Sequence, residues 1–442
     1  VAPPPDPFPV FDPRTYERGV PYGLLAELRS HSAVSWVEEP AVLGWPAGPG
    51  FWAVWRHAEV KAVLRDAGRF SSARGTQIRD ADTAEDLAYI TRQMLNQDPP
   101  YHTRLRSLVA KAFTPRAVSL LEERIRQRCS ELVSDMWERL GDGEEVDFAQ
   151  AAADLPLFTL AEVLGLPEGD RYLLYDWSNR VIGYQDEEYS ESAAFDPASS
   201  GASPMARAAA PLRPVPGPDG RLPNPRGKDG MPDLYRYAHE LAAWKRAHPG
   251  EDVMSLLLAA EDEGGQGITT EEFENMFWLF AVAGNETLRN GIPGGMYCLL
   301  THPHEHERVR SDPSLLPGAV EEMLRWWPPV MHFRRTATCD TEVGGQPVGA
   351  GDKVVVFHVA ANRDPAVFSD PDRFDVGRRP NDHVSFGFGV HFCLGAHLAR
   401  TQMRSLFGEL GRRERLEQSG PLVRLRSNFQ NGVKHLPVRL AR

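Results

Sequence analysis

Residues 386–395 read Phe-Gly-Phe-Gly-Val-His-Phe-Cys-Leu-Gly, and this stretch constrains the chain more than any other. Gly387, Gly389 and Gly395 surround Cys393, and glycine lets the backbone bend where a side chain would clash. Helical spacing follows at once: Leu394, Leu398, Leu406 and Leu410, with Ala399, Met403 and Phe407 beside them. Cys393 is therefore expected just ahead of a helix N-terminus. A free thiol has a pKa of about 8.5, and a helix N-terminus or a metal lowers it. Amides of the glycine turn can donate to the sulfur and tune its electron donation. A lone cysteine is ordinarily a small buried hydrophobe; these surroundings instead suit a thiolate that holds a metal.

The other cysteines are Cys129, Cys298 and Cys339, and no C-x-x-C pair occurs. A reducing, cytoplasmic setting is expected. With 49 Lys+Arg against 61 Asp+Glu, the formal net charge is −12, which disfavours nucleic acid as a partner. Nothing resembles a run of 18 or more apolar residues, so no membrane span is expected. The opening VAPPPDPFPV lacks a basic start and an apolar stretch, so it does not read as a signal peptide.

Helical spacing is expected over 57–66, 119–140, 234–247 and 271–290, with a short strand at 51–55. Thr269 and Thr270 can cap the 271–290 helix, and Glu271, Glu272 and Glu274 suit its positive end. Pro293-Gly294-Gly295 should kink or weaken its far end. Residues 343–357 alternate turn and strand residues and read as a small β-hairpin region. Residues 196–232 hold nine prolines among Ala, Ser and Gly, so no helix or central strand is expected there. Such a long insert reads as a surface loop or as a mobile lid. Helices dominate, with a minor β portion.

The cysteine stretch resembles the haem-binding signature of the cytochrome P450 family, F-x-x-G-x-x-x-C-x-G, with Phe386, Gly389, Cys393 and Gly395 in place. The resemblance runs from about Phe51 to Leu440. It implies a mainly α fold, a triangular helical prism with a small β-rich region, in one domain spanning 1–442. It also implies haem b held by the Cys393 thiolate, which favours O–O cleavage. Phe386, Gly387, Gly395 and Ala283 would line the haem.

Ala283-Gly284-Asn285-Glu286-Thr287 sits in the long helix after an almost unbroken apolar run from Phe277 to Ala283. A glutamate inside a buried helix needs a reason, and small Ala283 and Gly284 leave room for a ligand. In the similar family motif, acid and alcohol deliver protons during oxygen activation; here they would be Glu286 and Thr287. Many relatives have a second threonine where this chain has Leu288.

Gln97 to Arg106 resembles the family's D-P-P-x-H-x-x-x-R stretch. It implies that His102 and Arg106, with Arg335 and His391, partner the anionic haem propionates. Glu322-Met323-Leu324-Arg325 matches E-x-x-R, and with Asp372-Arg373-Phe374 it implies a Glu322–Arg325–Arg373 network behind the cysteine loop.

Only 47 residues follow Gly395, too few for a flavin or iron–sulfur module. Electrons are therefore expected from a separate protein; the resemblance implies a ferredoxin and its reductase, with Arg104, Lys111, Arg400 and Arg404 either forming a basic docking patch or standing as scattered solvated charges. The Ala283–Asn290, His332–Ala337 and Leu425–His435 stretches resemble a bacterial group oxidising steroids, methyl-branched lipids and terpenoids. A bulky hydrophobic substrate would contact Phe280, Val330, Met331, Phe333 and Phe429. The insert leaves open a tailoring enzyme for a larger natural product, polyketide or macrolide in character. A haem sensor, an electron carrier or a peroxide-driven oxidase would not need Glu286 and Thr287, so an O₂-dependent monooxygenase, monomeric in solution, is the reading preferred.

Overall fold

The computed structural model describes residues 4–110, 113, 115–190, 194–199, 201–218, 222–227 and 229–441. Helices make up about 51% of it. It falls into two compact units, each assembled from separated stretches: 1–71, 119–155 and 287–442 form one, and 72–118 and 156–286 the other.

Every named strand belongs to the first unit. Its main sheet has the order Val34–Val37, Phe51–Val54, Lys353–Phe357, His332–Ala337, Phe70–Ser71. The expected hairpin region is thereby divided. Thr341–Val343 and Gln346–Val348 do pair as a hairpin. Lys353–Phe357 leaves it to become the central strand, parallel to Phe51–Val54 and antiparallel to His332–Ala337. All five of its residues are buried, which explains its unbroken valine run. Val54, Val60, Leu64, Val354 and Val356 share one apolar cluster, so the helix His57–Arg65 packs on the sheet.

The second unit is helical. Pro232–Ala247 and Arg171–Ile182 meet through Trp177 and Tyr237, whose ring centroids lie 5.2 Å apart. Part of the proline-rich insert is ordered here, contrary to expectation. Pro204–Ala209 is a short helix, with Pro204 at its first position, where no amide is needed. Ser203 caps it by accepting from the Ala206 amide. Met205, Ala206 and Ala209 are buried. The buried Asp170 carboxylate accepts from the Ser203 amide at 2.9 Å and from the Tyr237 hydroxyl at 2.7 Å. Hydrogen bonds thus supply the ordering energy that composition alone does not.

The long helix runs Thr270–Thr301, past Pro293. Proline removes one amide from the ladder, yet the helix continues. Gly294 serves close packing: a Cβ there would stand 2.2 Å from Cδ1 of Trp327. No described helix is long and apolar enough to cross a membrane.

Candidate haem and proton-delivery site

In the first unit, the cysteine loop is built from two left-handed glycines. Gly387 and Gly389 have φ of +72° and +73°, which side-chain-bearing residues rarely adopt. A Cβ on Gly389 would lie 2.4 Å from the Leu64 carbonyl oxygen, so the loop needs glycine to approach that helix. The Cys393 amide donates to Phe386 O at 2.9 Å and closes the loop. Cys393 is exposed, and Gly395 precedes the 15-residue helix Ala396–Leu410. That helix buries Leu398, Met403, Leu406, Phe407 and Leu410, as its spacing implied.

The remaining cysteines lack this combination. Cys129 and Cys298 are sealed in the core, and burial pushes the Cys129 thiol up to about 12 and the Cys298 thiol higher still. Cys339 is exposed but outside any glycine turn before a helix. The donor set at 386–396 therefore fits a thiolate-ligated metal: an accessible sulfur at the positive end of a helix.

Behind the loop lies an ion pair with no exposure. Arg325 donates through Nε to Glu322 Oε2 at 2.7 Å and through Nη2 to Oε1 at 2.8 Å. The second arginine is Arg378, not Arg373. Arg378 Nε donates to both Glu322 oxygens at 3.2 Å, whereas Arg373 contributes its carbonyl, accepting from Arg325 and Arg378. Loop path decides this: the side chain five residues further on turns back to the carboxylate. The network reaches the cysteine loop through Asn362. Its carbonyl accepts from Arg325, while its side chain bonds the Val384 amide and Ser385 Oγ, adjacent to Phe386.

Glu321, which sequence reasoning passed over, is a second support. Arg400 donates to both of its oxygens at 2.7 Å, and Arg400 stacks over Phe386 at 4.4 Å. Burial alone would raise this carboxyl, but Arg400 and His383 hold it at about 2. Its only sequence signal is adjacency to Glu322. Arg400 is accordingly committed to an ion pair rather than free for a partner. Arg104 is likewise bound, to Asp262 at 2.8 Å and Glu272 at 2.7 Å. Arg404 is half-buried, and Lys111 lies outside the described residues.

Arg335 is buried on the strand His332–Ala337, its Nη1 donating to Arg334 O at 2.8 Å; His391 is half-buried in the cysteine loop. Of the expected substrate residues in this unit, Phe333 and Phe429 come together, with ring centroids 5.7 Å apart at 71°. Val330 pairs with Gln430 beside them. Met331 is fully buried, and its amide donates to Phe429 O at 2.9 Å, so it braces this group from within the core.

In the second unit, His102 and Arg106 share one side of the helix Tyr101–Ala110, His102 buried and Arg106 half-buried. Phe280 is buried against Phe113, 5.5 Å between centroids. Along the long helix, Glu286 is fully buried, while Ala283 is exposed and Gly284 and Thr287 are half-exposed. Positions 283 and 287 share one face at helical spacing, whereas Gly284 abuts Leu160, whose Cδ1 lies 2.8 Å from where a Cβ would stand. That open, small-residue face beside an alcohol and a buried acid fits a flat ligand lying against the helix.

A family model described as cytochrome P450 matches residues 236–420. The linalool 8-monooxygenase of Pseudomonas putida is 37% identical over 436 residues, covering 97% of both chains. The chain belongs to the cytochrome P450 family. A steroid C26-monooxygenase of Rhodococcus jostii is 35% identical over 439 residues, covering 98% of this P450 and 85% of that protein. Among solved structures, a Mycobacterium marinum cytochrome P450 in complex with pseudoionone matches with a TM-score of 0.81 and 35% identity. That match covers 95% of this chain and 94% of the other. Its cofactor is therefore haem b on a cysteine thiolate, and its fold is that of the cytochromes P450. This P450 is a monooxygenase.

Proposed function

We propose that this monooxygenase oxidises a bulky hydrophobic molecule of the terpenoid, steroid or branched-lipid class, with electrons from a separate ferredoxin and reductase. The observation that carries the reading is the long helix at 283–287, where a fully buried acid adjoins a half-exposed threonine on an open, small-residue face. Relatives named for linalool and steroid oxidation support the substrate class.

Cys393 would hold the haem iron, with His102, Arg106, Arg335 and His391 partnering the propionates. The bound haem supplies the reductive activation of O₂. One oxygen atom enters substrate and the other leaves as water, so protons must arrive as well as electrons. Glu286 carries them inward and Thr287 orients them by hydrogen bonding. Phe333 and Phe429 present apolar ring surface, suited to a substrate held by shape rather than charge.

For the ferredoxin, further cations beside the cysteine loop are Lys61 and Arg65, over the Phe388 ring at 4.5 and 5.1 Å, of which Lys61 is paired with Asp382 at 2.8 Å. Arg65 is exposed and would attract an acidic partner despite the net charge of the chain. A panel of terpenoids, steroids and branched fatty acids tests the reading through the haem spectrum on binding and through product analysis. Binding and oxidation confined to small polar compounds would overturn it.

A further inference from the structure

The stretch Ala283-Gly284-Asn285-Glu286-Thr287 contains one residue that the reading above leaves idle. Asn285 is fully buried. A primary amide offers two donors and an acceptor, and burying it without partners costs free energy that leucine or alanine would not. Its Nδ2 donates to Ser178 Oγ at 2.9 Å, and Ser178 is itself fully buried. Ser178 Oγ donates in turn to Tyr175 O at 3.2 Å. A serine has one hydroxyl proton, so this fixes the direction: Ser178 accepts from Asn285 and passes its own proton to its own helix. Asn285 Oδ1 is buried without a hydrogen-bonding partner among the described residues.

Ser178 belongs to the helix Arg171–Ile182. This helix also fastens the insert and the chain entering it: its Asp176 carboxylate accepts from the Ala194 amide at 2.7 Å and the Phe195 amide at 3.0 Å, just ahead of the insert, and from Arg213 Nη1 within it at 3.3 Å. Just ahead of the helix, Asp170 holds Ser203. The aromatic contacts between this helix and the long helix involve Trp177 and Phe277, 5.9 Å apart, and are non-directional. Asn285–Ser178 is a directional bond between the two, and it falls on the residue before the buried acid. Gly284, one step earlier, has Leu160 so close that a Cβ would lie 2.8 Å from Cδ1, so this turn has little room to shift on that side.

We propose that Asn285 is a positioning residue: through Ser178 it ties the turn bearing Glu286 to the helix that anchors the insert. The rotation of that turn, and with it the delivery of protons, then depends on where the Arg171–Ile182 helix sits. This rests on Glu286 serving proton delivery as proposed above.

The test uses ferric holoenzyme and the variants Ser178→Ala, Ser178→Thr and Asn285→Leu. Backbone hydrogen exchange over 283–288 needs no substrate. It should accelerate roughly 3- to 10-fold in Ser178→Ala and Asn285→Leu, the range set by one hydrogen bond's net worth. Ser178→Thr keeps the hydroxyl and should restore the wild-type rate. With ferredoxin, reductase, NAD(P)H and the panel compound that shifts the haem spectrum most, Ser178→Ala should send a several-fold larger share of electrons to peroxide. Ser178→Thr should again restore coupling. Should Asn285→Leu fail to fold, Ser178→Ala breaks the same bond from the other side. Unchanged exchange in Ser178→Ala, or no rescue by threonine, overturns the proposal. Glu286→Gln separates the two claims: normal turnover there refutes the acid's role, whereas slowed turnover with unaltered Ser178→Ala refutes only the positioning by Asn285.

Discussion

Glu322 and Arg325 face each other three residues apart on one helix, doubly hydrogen-bonded and wholly without solvent exposure. Removing one partner of such a pair strands the other charge and costs about 3–5 kcal/mol. Glu322→Ala should therefore unfold or lose haem on purification, since Arg325, Arg378, Asn381 and the Asp375 amide all converge on that carboxylate. Arg373→Ala should be mild, because Arg373 contributes only its carbonyl to the network. Urea midpoints and haem content distinguish the two; equal losses would restore Arg373 to the network.

Acid should weaken this protein before its carboxylates titrate. Burial, with His358 nearby, depresses the His332 imidazole from 6.5 to about 3, and burial depresses His358 to about 4. Unfolded, both rings take up protons below about pH 6.5. The unfolded state then binds more protons than the folded one, so their contribution is full above that pH and is lost as pH falls through the folded values. Glu321 acts in the same sense lower down: held at about 2, its contribution is present above 4.5 and lost below. Urea midpoints should fall steadily from about pH 6.5 to 4, and His332→Phe should flatten that fall. A flat profile in the parent protein would contradict this.

Much of the site was legible because its signals are local. Glycines at 387, 389 and 395 announced the bend around Cys393, and helical spacing from Leu398 to Leu410 announced the helix behind it. Glu286 stood out as an acid inside an apolar run. What was hidden depended on distant chain. Arg378 reaches Glu322 through loop geometry that no spacing encodes. Lys353–Phe357 finds its parallel partner three hundred residues away, roughly, in Phe51–Val54. The short helix in the insert was masked by its own Pro204, a breaker in mid-helix but a starter at the first position.

Gly294 offers a packing test. Trp327, which a Cβ at 294 would strike, is pinned by its Nε1 donating to Asn431 O at 2.8 Å and by Arg424 over its ring at 4.4 Å. Overpacking such a site costs about 1–3 kcal/mol. Gly294→Ala should lower the thermal midpoint, while Gly291→Ala, which meets only Pro329 Cγ at 3.1 Å, should cost less. The reverse order would show that the helix bends away from Trp327 in solution.

The insert tests the lid idea. Asp170→Ala would strand the Tyr237 hydroxyl and the Ser203 donors, each buried, a loss of about 1–3 kcal/mol. Hydrogen exchange over 201–212 should rise sharply while haem content holds. A lid predicts weaker substrate binding in the same variant, with the CO spectrum of the reduced protein unchanged; unaltered affinity would leave these residues a structural cap.

Proton delivery is tested at 286 and 287. Thr287→Ala should bind haem and substrate normally yet divert NAD(P)H electrons to peroxide, and Glu286→Gln should slow turnover while keeping the shape of the site. Unchanged coupling in Thr287→Ala would remove its assigned role.

The iron ligand decides the rest. Reduced protein under CO should show the red-shifted Soret band of thiolate-ligated haem, and Cys393→Ser should abolish it. Cys129, Cys298 and Cys339 changed to alanine should each keep it. A Cys393→Ala protein that retained the band would place the ligand elsewhere and contradict the reading of the cysteine loop.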